Sequence, residues 1–377
     1  MDSLFPESYD SSRARFLRDV ELIRANWPSS RLETHPLKNF PELSIDWLWA
    51  EPRKKEKLVI ITTAEHGIEG YVGSAMLKIF MDEFAPQLDP ENTGLLLVHA
   101  INPWGMKNDR KANENSVDLN RNFVYKDFDG KINPEFKELA YLLTPQNPAR
   151  SFFMESLSFW SRVIRALTTS GISRVSTATL LGQHHTPKGF YYGGTQYEES
   201  TSVLMELYHK ALEEYDAVIQ IDIHTGYGPR NQMSVIIPPT DPITSKEAAK
   251  KFNYPLVQKI NPEEFYAING DMGEYYYLLR NDKFPLKKIF VCGFEFGTVG
   301  DSLPARIRSL RAMVFENQLH WNGATSAAAN NAIREEFREL YFPADEKWRQ
   351  KAAADCRQAF EGIFESNGIF RNRSQEK

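Results

Sequence analysis

Five short apolar runs punctuate the chain: 58–63 (LVIITT), 94–100 (GLLLVHA), 217–223 (AVIQIDI), 233–238 (MSVIIP) and 289–296 (IFVCGFEF). Runs without polar alternation suit strands covered on both faces, as in a parallel sheet. Helical periodicity follows several of them. Residues 70–84 set Val72, Met76, Ile79 and Phe80 along one stripe, and 201–215 behave similarly. Strands alternating with helices predict an α/β fold, its sheet covered by helices on both faces.

Two stretches break this rhythm. Residues 124–194 lack a clear core strand but contain the amphipathic FFMESLSFWSRVIRAL, which predicts a cap-like insertion rather than a loop. Residues 304–370 read as helical throughout. No Pro/Gly/Ser-rich linker divides the 377 residues, so one domain over 1–377 is expected. The net charge of −5 comes from interspersed acids and bases, and no basic stripe points to nucleic acid. No stretch approaches the ~18 apolar residues of a membrane span, and the N-terminus lacks the pattern of a signal peptide. A cytoplasmic protein with two reduced structural thiols, Cys292 and Cys356, is the resulting expectation.

Chemistry-bearing residues gather where the apolar runs end. His66 and Glu69 stand three apart in AEHGIEG, just after 58–63, at the strand end where α/β sheets place ligands. An imidazole and a carboxylate so spaced can aim at one point and suit zinc. Alone, the pair also reads as polar residues at a helix start. His224 leaves 217–223 into a glycine-bearing loop (DIHTG), where a satisfied core histidine is the plainer reading. Glu295 lies inside an apolar run (GFEFG). A carboxylate buried there without a partner is expensive, so it marks a metal site, a catalytic cleft or a buried ion pair. Residues 102–123 crowd Arg110, Asn120 and Arg121 into one connection after 94–100. Arginine holds carboxylates and oxyanions in fixed bidentate geometry, so this crowding predicts recognition of an anionic substrate end and stabilisation of developing charge.

HGIEG, NPWG, the step from Arg110 to Asn113 into VDLNRNF, DIHTG and FEFG occur in this order between residues 58 and about 300. In that set the sequence resembles the zinc carboxypeptidase family. HGIEGYVGSA, INPWG, NENSVDLNRNF and YYGG look like a bacterial subgroup of it. The resemblance implies a zinc carboxypeptidase-like fold with a mixed, largely parallel central sheet. It also implies one zinc ion held by His66, Glu69 and His224, a fourth position staying open for water. It makes Glu295 the general base and acid and Arg110 the support of the carbonyl oxygen. Asn120 and Arg121 match the pair that binds a terminal carboxylate. Tyr266, in FYAINGDMGE, resembles the substrate-capping tyrosine, with Tyr275, Tyr276 and Tyr277 as neighbours that can serve instead. The implied reaction is hydrolysis of a peptide or amide bond beside a free carboxylate, on a small peptide.

Two other functions compete. Amidohydrolases of the aspartoacylase and succinylglutamate desuccinylase kind share the His-x-x-Glu, the arginines and the later His and Glu, and act on N-acyl amino acids. The NP-x-G spacing and the Asn-Arg-Asn-Phe ending favour the peptidase branch. A binding module that has lost catalysis is the non-enzymatic alternative, against which stand the ligand set, Glu295 and Arg110. The insertion before Gly194 has no counterpart in the simple family core, and its QHHTPKGFYYGG end can roof the cleft. His184 and His185 are adjacent and project differently, which suits substrate-lining or structural roles over extra metal ligation. Acidic residues at 271–274 hint at basic or polar substrate side chains.

Overall fold

Burial on both faces fixes the centre of the sheet first. The computed structural model describes residues 3–128, 133–259 and 270–371. Its strands are β1 (Ser30–Leu37), β2 (Phe40–Ala50), β3 (Lys57–Thr63), β4 (Thr93–His99), β5 (Ala217–Thr225), β6 (Met233–Ile237), β7 (Val257–Lys259) and β8 (Lys288–Phe296). Among the described residues they form one sheet in the order β1-β2-β4-β3-β5-β8-β6-β7. The central four, β4, β3, β5 and β8, run parallel. β2 joins antiparallel on one side and β6 on the other. All five apolar runs are therefore strands, and four of them supply the parallel centre.

The helices are α1 (Tyr9–Arg24), α2 (Gly70–Ile79), α3 (Pro103–Lys107), α4 (Pro134–Glu138), α5 (Ala140–Leu143), α6 (Phe152–Leu180), α7 (Glu199–Glu214), α8 (Ser245–Lys251), α9 (Met272–Lys283), α10 (Leu303–Asn322), α11 (Ala327–Tyr341) and α12 (Glu346–Ser366). They cover both faces of the sheet. On one face α12 lays Phe360 against Phe294 of β8, 5.2 Å between ring centres, and against Phe80 beyond the end of α2. α2 is consequently buried nearly all round from Gly70 to Leu77 rather than along the single expected stripe. On the other face α7 and α9 meet through stacked Tyr208 and Tyr276, and the Tyr208 hydroxyl accepts from Gln220 of β5 at 2.7 Å.

Residues 124–194 are helical where described, as α4, α5 and α6. α6 is interrupted at Gly171 (φ 77°, ψ 165°), a conformation that only glycine adopts cheaply. α6 docks on α10 through Phe152 and Phe159 against Phe315. The C-terminal stretch is helical as expected, and α12 packs against the sheet. Cys292 and Cys356 are buried free thiols. Among the described residues no helix is long and apolar enough to cross a membrane.

Candidate active site

Period-two alternation along β5 and β8 builds the floor of a cavity of about 220 Å³. Gln220, Asp222 and His224 point from β5 to the α7/α9 face, and their register partners on β8 are Val291, Gly293 and Glu295. All six line the cavity, with His66, Lys111, Asn120, Arg121 and Tyr191 around them. The site therefore lies at the C-terminal ends of the central parallel strands.

The turn after β3 sets His66 and Glu69. Ala64 takes a left-handed backbone (φ 60°), and Gly67 presses on the next turn so closely that a Cβ there would stand 2.1 Å from the Gly105 carbonyl carbon. Gly67 N–H donates to the Lys111 carbonyl (3.1 Å) and Ile68 N–H to that of Arg110 (2.9 Å). Asn102 caps α3 by accepting from Gly105 N–H (2.8 Å), while its amide donates to the Lys111 carbonyl (3.1 Å). HGIEG and NPWG are thus two halves of one backbone clamp.

Glu69 lies between the two histidines. Its Oε1 is 2.9 Å from His66 Nδ1 and its Oε2 is 3.1 Å from His224 Nδ1. Oε2 also accepts from Thr225 N–H at 2.9 Å. Each ring's other nitrogen faces a carboxylate: His66 Nε2 lies 3.2 Å from Asp118 Oδ1, and His224 Nε2 lies 2.5 Å from Asp222 Oδ2. Burial works against charge on Glu69, Asp118 and His224, yet their partners prevail. His66 and His224 hold the Glu69 carboxyl far below its usual range, and Lys111 and His66 do the same for Asp118. Asp222 and Glu69 hold the His224 ring well above its ordinary value.

Glu65 with His66 and His224 offers ligand atoms that all lie within 4.8 Å of one another. Glu65 is 1% exposed, and neither carboxylate oxygen has a hydrogen-bond partner. It approaches His224 at Nε2 (3.5 Å), the nitrogen already facing Asp222.

Glu295 accepts a hydrogen bond from Tyr227 N–H at 2.9 Å. Burial and the nearby charge of Glu69 push its carboxyl up to about 7. The apolar run around Glu295 announces the burial, whereas the approach of Glu69 is not visible in the sequence.

The signature VDLNRNF divides its labour. Asn122 accepts from Glu198 N–H and donates to the carbonyls of Gly193 and Gln196. Asn113 accepts from Val117 N–H. These asparagines hold backbone. Asn120 and Arg121 do line the cavity, although Asn120 Oδ1 already accepts from Met272 N–H at 3.1 Å.

Arg110 was expected at the carbonyl oxygen; in the structure its Nε donates to Glu316 of α10 at 2.6 Å and its Nη1 to Ser116 at 3.3 Å. It is not among the cavity-lining residues; its neighbour Lys111 is. Both carbonyls are tied to the HGIEG turn, the Arg110 carbonyl by Ile68 N–H and the Lys111 carbonyl by Gly67 N–H. Tyr266 lies outside the described residues, while Tyr276 and Tyr277 of α9 are fully buried and are not among the cavity-lining residues. His184 and His185 are not part of the cavity lining; His184 Nδ1 contacts the Gly194 carbonyl and His185 sits edge-on to Phe136. From the insertion's end it is Tyr191 that reaches the cavity. Asp118, Asp222, Lys111 and Tyr191 were not singled out in the sequence. Asp222 was open to discovery, since it lies two residues from His224 on one strand face.

Comparison with known proteins gives one family and a set of similar solved structures. Residues 5–355 match a family described as "Protein of unknown function (DUF2817)". No curated protein matches the chain. Among solved structures it is similar to bovine thrombin-activatable fibrinolysis inhibitor in complex with tick carboxypeptidase inhibitor, at 14% identity over 83% of this chain and 95% of that one, with a TM-score of 0.46. It is also similar to carboxypeptidase A from Helicoverpa armigera (12%, 87% and 74%, TM-score 0.45). A third is the murein-tripeptide amidase MpaA from Escherichia coli O157 (16%, 77% and 92%, TM-score 0.36).

Proposed function

The chain belongs to the family described as "Protein of unknown function (DUF2817)", a description that names no reaction, so we propose one from the site itself: metal-dependent hydrolysis of a peptide or amide bond next to a free carboxylate. The observation that carries this reading is the placement of Glu69 between the Nδ1 atoms of His66 and His224, with Glu295 beside His224 in strand register.

Two imidazoles and a carboxylate suit zinc. His66, Glu69 and His224 would hold one ion. Asp118 and Asp222 back the far nitrogens, the outer partnership that metal-binding histidines ordinarily have. The Glu65 trio is the weaker set, since Glu65 meets His224 on the nitrogen that Asp222 already engages. Bound zinc supplies a Lewis acid and lowers the pKa of a coordinated water towards ~7.

The chain's own residues do the rest. Glu295 takes a proton from the attacking water and returns it to the leaving amine nitrogen, so the C–N bond breaks as the carbonyl re-forms. Arg121 grips the substrate's free carboxylate, with Asn120 beside it, and fixes the scissile bond over Glu295. A cavity of about 220 Å³ is below the ~300 Å³ lower end of ordinary ligand sites. That size favours keeping a second substrate class, N-acyl amino acids, beside short peptides.

The test is a parallel assay of zinc-loaded protein on free-acid peptides, their C-terminal amides and N-acyl amino acids. Losing a charge-assisted contact of ~1.5–3 kcal/mol should leave the amides about 10–150-fold poorer in kcat/KM. Equal turnover of acids and amides would remove Arg121 as the anchor. No turnover of any substrate by protein of full metal content would remove the hydrolase reading.

A further inference from the structure

Of the consecutive cations Arg110 and Lys111, one is spent on the fold and the other is held at the cavity. The Arg110 guanidinium is bound by Glu316 and Ser116. Lys111 lines the cavity, 8% exposed, with Nζ 3.9 Å from Glu69 Oε1 and 3.8 Å from Asp118 Oδ2. Both separations exceed a hydrogen bond. Among the described residues no acceptor takes a hydrogen from this ammonium.

The surroundings fix it there. The Lys111 carbonyl accepts from Gly67 N–H and from the Asn102 amide, so its backbone is tied to the turn carrying His66 and Glu69. Tyr191 stands over the amine with its ring centre 5.5 Å from Nζ, and 5.2 Å from the Arg121 guanidinium carbon. Tyr191 holds this place in a left-handed backbone conformation (φ 54°), which a side-chain-bearing residue adopts only under constraint. One ring thus sets the spacing between two cations at the cavity wall. The Glu69 and Asp118 carboxylates, both within 4 Å, balance the charge of this nearly buried ammonium, while its N–H groups lie beyond hydrogen-bond reach of either and are placed to meet an arriving oxygen.

We propose that Lys111, rather than Arg110, is the catalytic residue that stabilises the carbonyl oxygen of the scissile bond, with Tyr191 as its positioning residue; this rests on the hydrolase reading above. As water oxygen bonds to the carbonyl carbon, the C=O π pair moves onto oxygen, and an Nζ–H of Lys111 hydrogen-bonds to it. Lys111 keeps its proton throughout. The pair returns when the C–N bond breaks, and the amine departs with the proton that Glu295 carried from the water. Arg121 meanwhile holds the carboxylate on the far side of the Tyr191 ring.

The experiment uses zinc-loaded full chain and a free-acid peptide or N-acyl amino acid that wild type turns over. Lys111→Ala should lower kcat by about 10²–10³-fold, the usual loss for one oxyanion donor, with KM within a few-fold of wild type. Methylammonium should restore rate to Lys111→Ala in a saturable manner, whereas tetramethylammonium, which has no N–H, should not. A phosphonate analogue of the tetrahedral species should bind Lys111→Ala more weakly by a similar factor by calorimetry, while the product amino acid binds as to wild type. Lys111→Met, close in length and apolar, should show the same losses if Lys111→Ala folds poorly. Arg110→Ala should cost stability and keep kcat within a few-fold. Wild-type kcat in both Lys111 variants overturns the proposal, as does a loss matched by equal loss of zinc or of product binding. Absence of turnover in wild type instead defeats the hydrolase reading.

Discussion

At the level of single residues, two glutamates near the histidines have separable tasks. Glu69 touches both Nδ1 atoms, whereas Glu295 touches neither and hangs from the Tyr227 amide. Glu69→Gln should therefore lose metal. Glu295→Gln should keep stoichiometric zinc while kcat falls by at least ~10²-fold, the lower range for a lost general base. Metal content paired with kcat for both variants checks this, and the reverse pattern would exchange the roles. Glu295 also sets a pH dependence. Its carboxyl is raised to about 7 by burial and by Glu69, and only the ionised form accepts a proton. kcat/KM should fall as pH drops through that region instead of at the pH of an ordinary carboxylate. A bound dication draws the value down, so about 7 is the upper edge of the limb. A wild-type profile flat from pH 8 to 4 would take Glu295 out of the base role. The motif residues of this pair were legible because His-x-x-Glu and FEFG bring rare polar types to strand ends. Lys111 was not, because adjacent Arg and Lys look alike in a sequence and only the turn's hydrogen bonds decide which one faces inward.

Among the elements, β3, β4, β5, β6 and β8 were legible because burial on both faces demands uninterrupted apolar runs. β1 and β2 were not. β1 reads Ser-Arg-Leu-Glu-Thr-His-Pro-Leu, partly exposed at the sheet edge, where charge and Pro36 serve to discourage further pairing. β7 has only three residues. Further in, a buried histidine ties α1 to the sheet. His99, at the end of β4, lies 2.8 Å from the Ser12 hydroxyl of α1 and stacks on Phe16. Burial, helped by Arg13 and Arg15 against the opposing pull of Asp46, lowers its pKa from 6.5 to about 4. Between those values the unfolded chain binds the proton and the folded one does not, so stability rises with pH. The contribution, about 3 kcal/mol at 1.36 kcal/mol per unit, is fully present above pH 6.5 and disappears as pH falls to 4. Urea unfolding of wild type and His99→Gln across this window should show a shallower pH slope in the variant. Parallel slopes would mean that His99 titrates normally and α1 is held by other contacts.

For the molecule as a whole, the site joins elements far apart in sequence: the turn after β3, the ends of β5 and β8, the loop bearing Asp118, and the insertion's end at Tyr191. These elements gather the buried carboxylates Glu65, Glu69, Asp118 and Asp222 with the half-buried Glu295, and burying like charges opposes folding. Lys111, Arg121 and the histidines offset part of that cost, and a dication would offset more. Zinc should therefore stabilise the fold by linkage, because the unfolded chain does not hold His66 and Glu69 beside His224. At a free zinc concentration 100 times Kd the gain is ~2.7 kcal/mol. With an unfolding entropy of about 2.1 cal/mol/K per residue, a chain of 377 residues should gain roughly 3 °C in Tm. Scanning calorimetry with zinc and with a chelator measures it directly. The variants make the measurement specific: Glu69→Gln should abolish the shift, while Glu295→Gln should retain it, since it removes a buried charge without removing a ligand. Glu65→Gln distinguishes the two possible trios in the same experiment. If Glu65→Gln erases the zinc shift and Glu69→Gln preserves it, the ion belongs on the Nε2 side of His224, and the ligand set proposed here is wrong.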